Sequence, residues 1–424
     1  MKIHIKNGRL IDPKNGIDAQ QNLFIAAGKV VGIGQAPADF NPNQVIDASG
    51  LVVCPGLVDI SARLREPGYE YKATLESEML AAAAGGVTSL ACPPDTDPVL
   101  DEPGLVEMLK HRARQLNLAH VYPLGALTRQ LQGAMLTEMC ELTEAGCVGF
   151  SQADKPITDT LVLWRAMQYA ATFGFTVWLH PQDSYLAANG VAHDGEVAAR
   201  LGLRPIPAAA ETVALATMLR LARETGARLH ICRLSAAESV DMIAAAKTQG
   251  LPVTCDIAAN HLQLTEYDIG FFDANSHLHP PLRSQRDKDA LRQGLADGTI
   301  DAVCSDHTPV DEDAKLLPFG EAEAGATGLE LLLPLTLKWA DEQGLSLSDA
   351  IAGITSKPAT ILGLKSGHLG LQAAADVCIF DPAQYWKIEP RALKSQGKNT
   401  PFNGMELAGK VRYTVLDGNI IYKS

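Results

Sequence analysis

The chain has 424 residues, 46% hydrophobic and 20% charged, the balance of an ordinary globular protein long enough for a large barrel plus a small satellite. Its net charge of −13 is spread among interspersed acidic and basic residues, a surface that repels phosphate backbones and anionic lipid and argues against nucleic-acid or membrane-surface binding. No apolar run reaches the roughly 18 residues that a membrane span requires, and "MKIHIKNGRLID" lacks the apolar core of a secretion signal, so a cytoplasmic protein is expected.

The first 50 residues read as β structure. "KIHIKNGRLI" alternates, and "NLFIAAGKVVGIG" reads as two strands around a turn at Gly28. From Gly56 the pattern changes to short apolar runs separated by helical spacing. The runs are "GLVDIS" (56–61), "VTSLAC" (87–92), "AHVYPLGAL" (119–127), "CVGFS" (147–151), "FTVWLH" (175–180), "ARLHIC" (227–232), "LPVTCD" (251–256) and "DAVCSD" (301–306). Intervening segments such as "TDTLVLWRAMQYAATFG" and "ETVALATMLRLARETG" end in Gly, a helix-stop signal. Eight alternating units imply a (β/α)8 TIM barrel, whose working residues stand at the C-terminal ends of the strands.

Two stretches interrupt the repeat. Segment 181–206 is long and polar, and 308–327 ("TPVDEDAKLLPFGEAEAGAT") is acidic and Gly/Ala-rich, the composition of a mobile or functional loop. "AAAAGGVTS" reads as a helix end packed tightly on the second strand rather than as a phosphate cradle. The last 50 residues return to β structure, with a hairpin signal at Asp417-Gly418. Residues 1–55 and 366–424 are therefore expected to form one composite β-sandwich domain around a barrel of residues 56–365. The eight cysteines form no CxxC pair. Cys54, Cys92, Cys232, Cys255, Cys304 and Cys378 lie in or beside apolar runs and read as buried, reduced thiols.

Read in order, the strand ends are similar to the motifs of the dihydroorotase family of the amidohydrolase superfamily. "PGLVDISARLREPG" resembles that family's "PGLID-x-H-x-H-x-REPG". "AAAAGGVTSLACPPDTDP" resembles "AAAGGxTxVxxMPNTxP", and "GFSQADKP" resembles "FSDDGxP". "LHICRLS", "VTCDIAANHLQLT", "HPPLRS", "CSDHTPV" and "NTPFNGMELAGKV" continue the likeness over essentially the whole chain. The resemblance implies a zinc site at the barrel mouth, where imidazoles and carboxylates bind metal and the metal supplies hydroxide for opening a cyclic amide.

Carried over residue by residue, the first-strand histidine pair falls on Ser61 and Arg63. The fourth-strand carboxylate falls on Gln152 or Ala153, and the sixth-strand histidine on Arg233. Only the fifth-strand histidine, His180, and the eighth-strand aspartate, Asp306, remain. Among substrate-binding positions Arg65 is kept, while Val310 replaces a histidine and Asp95 an asparagine, which is expected to place a negative charge near an anionic substrate. Guanidinium has no free lone pair and is always protonated, so arginine cannot ligate metal. Two such charges are also expected to repel a cation. A metal-free pocket follows, with zinc lost and no catalytic residue, and with Asp306 an ion-pair partner for Arg63 or Arg233. His180, His230, His261, His279 and His307 read as hydrogen-bonded structural groups. Asp154 and Lys155 lie just past the fourth strand and could rebuild a metal site, with Lys155 the nearest candidate for a carbamylated lysine.

The chain closely resembles the inactive dihydroorotase-like subunits that some bacteria pair with aspartate carbamoyltransferase. It implies a pseudoenzyme of pyrimidine biosynthesis that supports the transferase's catalytic chains in a hetero-oligomer, plausibly six plus six. Two other functions compete. One is an active zinc-dependent cyclic amidase, a dihydroorotase or hydantoinase with an altered metal site. The other is a sensor whose Arg65 grips carbamoyl-aspartate or dihydroorotate.

Overall fold

A computed structural model describes residues 1–424. Eight short parallel strands form its barrel: Leu57–Asp59 (strand 1), Val87–Cys92 (strand 2), His120–Pro123 (strand 3), Phe150–Ser151 (strand 4), Thr176–Leu179 (strand 5), Arg228–Ile231 (strand 6), Val253–Ala258 (strand 7) and Ala302–Cys304 (strand 8). Seven fall within the apolar runs of the sequence, and strand 7 extends past its run to Ala258. Covered on both faces, they read as continuous apolar runs; strand 2 is buried at every residue.

Neighbouring strands pair in parallel from strand 1 to strand 8, with strand 3 resuming at Gly125–Ala126 to meet strand 4. Residues just beyond strands 1 and 8 close the ring. The Arg63 amide donates to the His307 carbonyl at 2.8 Å, and the His307 amide to the Ser61 carbonyl at 3.2 Å. The stretch with the altered histidine positions is thus a structural seam of the barrel mouth.

Helices Thr160–Phe173 and Ala208–Thr225 stop at Gly174 and Gly226, both left-handed. Gly86, beyond helix Leu75–Ala84, has φ +82°, and a Cβ there would meet Cys378 Sγ at 2.5 Å. The close approach at "AAAAGGVTS" is thus to sandwich strand Val377–Lys387, rather than to the second barrel strand that the sequence suggests.

Both chain ends enter one sandwich. Its larger sheet runs Asn419–Lys423, Glu406–Leu416, Val377–Lys387, Val52–Pro55, Arg9–Asp12, Ile17–Gln20. The smaller sheet runs Lys29–Ile33, Leu23–Ala26, Lys2–Lys6, Gln44–Asp47. Ile3, Ile5, Leu10, Ile25, Val53, Val377, Ile379 and Val415 form the core between them.

The C-terminal region divides where the sequence reading kept it whole. Strand Val377–Lys387 and the final hairpin belong to the sandwich, but residues 388–405 include a segment that packs on the barrel mouth. Segment 181–206 is also more ordered than its polar composition suggests. It holds helices Ser184–Ala187 and Glu196–Leu201 and a parallel pair of short strands.

All eight cysteines are free thiols; Cys140 and Cys232 are partly exposed and the others buried. No helix is long and apolar enough to cross a membrane.

Candidate site at the barrel mouth

The C-terminal ends of strands 1, 4, 6 and 8 deliver an interlocked ion cluster. Arg63 Nε donates to Asp95 at 2.8 Å, Nη2 to Asp154 at 2.6 Å and Nη1 to Thr308 Oγ1 at 3.0 Å. Arg233 donates through Nη2 to the other oxygen of Asp154 and through Nη1 to Asp306 at 3.0 Å. Arg63 Nη1 also stands 3.7 Å from Asp306. Asp154 is therefore a two-pronged acceptor between the guanidiniums, with Asp306 beneath it.

The electrostatics follow from burial and pairing. Burial opposes ionisation of Asp154, but Arg233 and Arg63 hold its carboxyl well below the usual carboxylate range. Burial of Arg233 is likewise overcome by Asp154 and Asp306, which raise its pKa well above the ordinary value. For Asp306, burial prevails and its pKa rises despite Arg233 and Arg63. His180 is kept neutral by burial and by Arg233, and its Nδ1 lies 3.2 Å from the Cys232 carbonyl.

Two expectations are corrected here. The arginines are not bare charges that repel a cation, because three carboxylates, Asp95, Asp154 and Asp306, compensate them. Asp95 is likewise not a free negative charge awaiting substrate, since Arg63 neutralises it. What disfavours metal is the donor set. Ser61, Arg63 and Arg233 stand where the motif resemblance places imidazoles, and both oxygens of Asp154 serve guanidinium donors. Of the two clusters of at least three His, Cys, Asp or Glu donors that lie close enough to share an ion, His120–Asp376–Asp417 lies away from the mouth, and His230–Cys232–Asp256 adjoins Arg233 but includes none of Asp95, Asp154 and Asp306. The residues at this mouth do not fit the family's zinc centre.

The remaining positions have local roles. Gln152 accepts from Thr128 Oγ1 at 2.9 Å, and its buried Nε2 has no partner. Ala153 is buried with φ +51°, and this left-handed residue brings Asp154 inward. Lys155 is exposed and outside the cluster, a poor position for a bridging carbamate.

Arg65 Nε donates to the Pro309 carbonyl at 2.8 Å, and its Nη2 is 3.6 Å from Glu323. It braces segment 308–327 from beneath. The Val310 amide donates to Asn399 Oδ1 at 3.0 Å. Arg65, Arg233 and Asp306 share Ala153's positive φ, so the mouth concentrates strained backbone.

Segment 308–327 is tied down. Asn399 Nδ2 donates to the Thr308 and Gly325 carbonyls, each at 3.0 Å, and Phe319 stacks on His277 at 4.9 Å. Lys72 pairs with Glu323 at 2.6 Å.

Three of the other histidines have hydrogen-bond partners. His230 bridges Thr254 and Asp256, each at 2.8 Å, His261 Nε2 lies 3.3 Å from the Pro281 carbonyl, and His307 Nε2 lies 2.6 Å from Glu78. His279 departs from expectation. Its ring packs 4.8 Å from His180 at the mouth, and its Nε2 has no partner.

The sequence places Asp154 just beyond the aligned pair Gln152 and Ala153, as a residue that could help rebuild a metal site, but misses its role as the shared partner of Arg63 and Arg233. The signal that could have found it is the arginine pair itself, since two buried guanidiniums require nearby carboxylates.

A family model described as "Dihydro-orotase-like" matches residues 50–239, and one described as "Amidohydrolase family" matches residues 186–422. A Pseudomonas aeruginosa protein named "Dihydroorotase-like protein" is 45% identical over the full length of both chains. A protein of the same name from Pseudomonas putida is 44% identical, covering 100% of this chain and 99% of its own length. A Geobacter sp. protein named "Dihydroorotase" is 42% identical over the full length of both. Among solved structures, an L-hydantoinase from Arthrobacter aurescens superposes with a TM-score of 0.89 at 25% identity, covering 99% of this chain and 96% of that one.

Proposed function

The chain belongs to the dihydroorotase-like proteins of the amidohydrolase family, and from that premise we propose that it is a pseudoenzyme. In this reading it keeps the barrel as a scaffold and serves as an assembly partner of aspartate carbamoyltransferase in pyrimidine biosynthesis. The observation that supports a loss of chemistry is the Arg63–Asp154–Arg233–Asp306 cluster, built on three of the positions to which the motif resemblance carries the family's metal ligands. A hydrolase of this class needs an open coordination position and a water held on it. Here Arg63, Arg233 and Asp306 retain only 7%, 4% and 5% exposure. The retained scaffold supports a structural role, and the choice of partner rests on the resemblance in sequence motifs.

The test mixes the purified chain with its host's aspartate carbamoyltransferase at micromolar concentration and measures mass by light scattering during size exclusion. Co-elution as one hetero-oligomer, with altered transferase activity or stability, is the expected result. Separate elution with transferase activity indifferent to the chain overturns the reading.

A second reading, a zinc-dependent cyclic amidase with an altered site, is favoured by the 42% identical relative that bears the name "Dihydroorotase". It requires turnover of dihydroorotate or a hydantoin with zinc supplied, and loss of that turnover in Asp306→Asn.

A further inference from the structure

At the opposite end of the barrel, three metal-capable side chains converge from three parts of the chain. His120 opens strand 3, Asp376 immediately precedes sandwich strand Val377–Lys387, and Asp417 sits in the turn between Glu406–Leu416 and Asn419–Lys423. His120 Nε2 lies 3.6 Å from Asp376 Oδ2 and 3.5 Å from Asp417 Oδ2. The three donor atoms lie within 4.8 Å of one another.

These separations are too long for good hydrogen bonds. Asp376 is only 5% exposed, yet its Oδ2 has no hydrogen-bond partner; its other oxygen accepts from the Asp417 amide at 2.8 Å. An unpartnered carboxylate oxygen so deeply buried calls for a ligand. The two histidine–carboxylate spacings suit an ion: donors each about 2.1 Å from a common centre and 3.5–3.6 Å apart subtend roughly 113–118° at it, near the tetrahedral angle, while the two carboxylate oxygens lie within 4.8 Å of each other.

The other grouping of this kind, His230–Cys232–Asp256, differs. There both Asp256 oxygens are engaged, by His230 on one side and by the Arg233 amide and Cys304 thiol on the other, and burial keeps the Cys232 thiol protonated. It is a satisfied core network.

We propose that His120, Asp376 and Asp417 form a binding site for a borderline divalent cation of the zinc class, which latches the barrel to the composite sandwich. One imidazole and two carboxylates suit such an ion. Asp417, with its side chain 49% exposed, and His120, at 33%, leave a solvent-facing side for entry and for a water as fourth ligand. The ion would join positions far apart in sequence, so its binding reinforces the domain junction. The proposal is independent of the barrel mouth, which lies at the other end of the strands.

The test titrates the metal-free full-length chain with zinc chloride by calorimetry, then with cobalt(II) as a spectroscopic probe. Expected are one equivalent of zinc, a rise in melting temperature that chelator reverses, and the intense visible absorption of near-tetrahedral cobalt. His120→Gln and Asp417→Asn, both at partly exposed positions, should each weaken zinc binding at least about tenfold, whereas His180→Gln should leave it unchanged. The proposal is overturned if zinc does not bind at micromolar concentration, if binding is equal in all variants, or if it is lost in His180→Gln and kept in His120→Gln.

Discussion

Asp154→Ala removes the carboxylate on which both mouth arginines converge. Arg63 donates to it at 2.6 Å and Arg233 to its other oxygen, and both arginines are over nine-tenths buried. An ion pair at contact is worth about 4 kcal/mol at an effective dielectric of ~20. The variant loses two such pairs and leaves the guanidiniums facing each other across Asp306. Asp154 is itself 29% exposed on its side chain, so entering water replaces part of the loss. A net destabilisation of about 3 kcal/mol is expected, at the low end of the cost of breaking a buried pair.

With an unfolding entropy of about 2.1 cal/mol/K per residue, that lowers the Tm by about 3 °C for this length of chain. Urea denaturation followed by circular dichroism, with calorimetry, measures both quantities. Arg233→Met should also destabilise, and the double variant should lose about 2 kcal/mol less than the sum, because removing both partners leaves less unpaired charge. A change within about 0.5 kcal/mol for Asp154→Ala, or strict additivity in the cycle, refutes the cluster as an electrostatic unit.

Asn399→Ala strips the side-chain bonds that hold segment 308–327 to the C-terminal region, at Thr308, Gly325 and Val310. A loss of about 2–3 kcal/mol and faster tryptic cleavage at Lys315 are expected, and unchanged cleavage shows that other contacts hold the segment. Burial, with help from Lys315, depresses His277 to about 4. The unfolded histidine, near 6.5, binds more protons in that window, so this stability is present above pH 6.5 and lost as pH falls toward 4. His277 alone should cost about 2–3 kcal/mol between pH 7 and pH 4.5. His277→Phe should lose correspondingly less on acidification in denaturation curves at the two pH values, and an equal loss assigns the acid lability elsewhere.

What the sequence determined by itself is what local pattern and residue chemistry can carry. Apolar runs at regular spacing placed all eight barrel strands, because strands buried on both faces must be apolar along their length. The composite sandwich was legible from alternation and from Asp417-Gly418. That Arg63 and Arg233 cannot ligate metal was legible because no fold turns a guanidinium into a ligand.

Tertiary structure decided how the resulting charges are satisfied. Asp154 reaches Arg63 and Arg233 only because Ala153 turns left-handed, and its partners lie 91 and 79 positions away. Separation in sequence likewise hid the order of segment 308–327, which depends on Asn399, and the meeting of His120 with Asp376 and Asp417. Secondary structure follows from neighbours along the chain, whereas ion pairs and metal-capable clusters form between groups that only the closed barrel and its docked sandwich bring within a few ångströms.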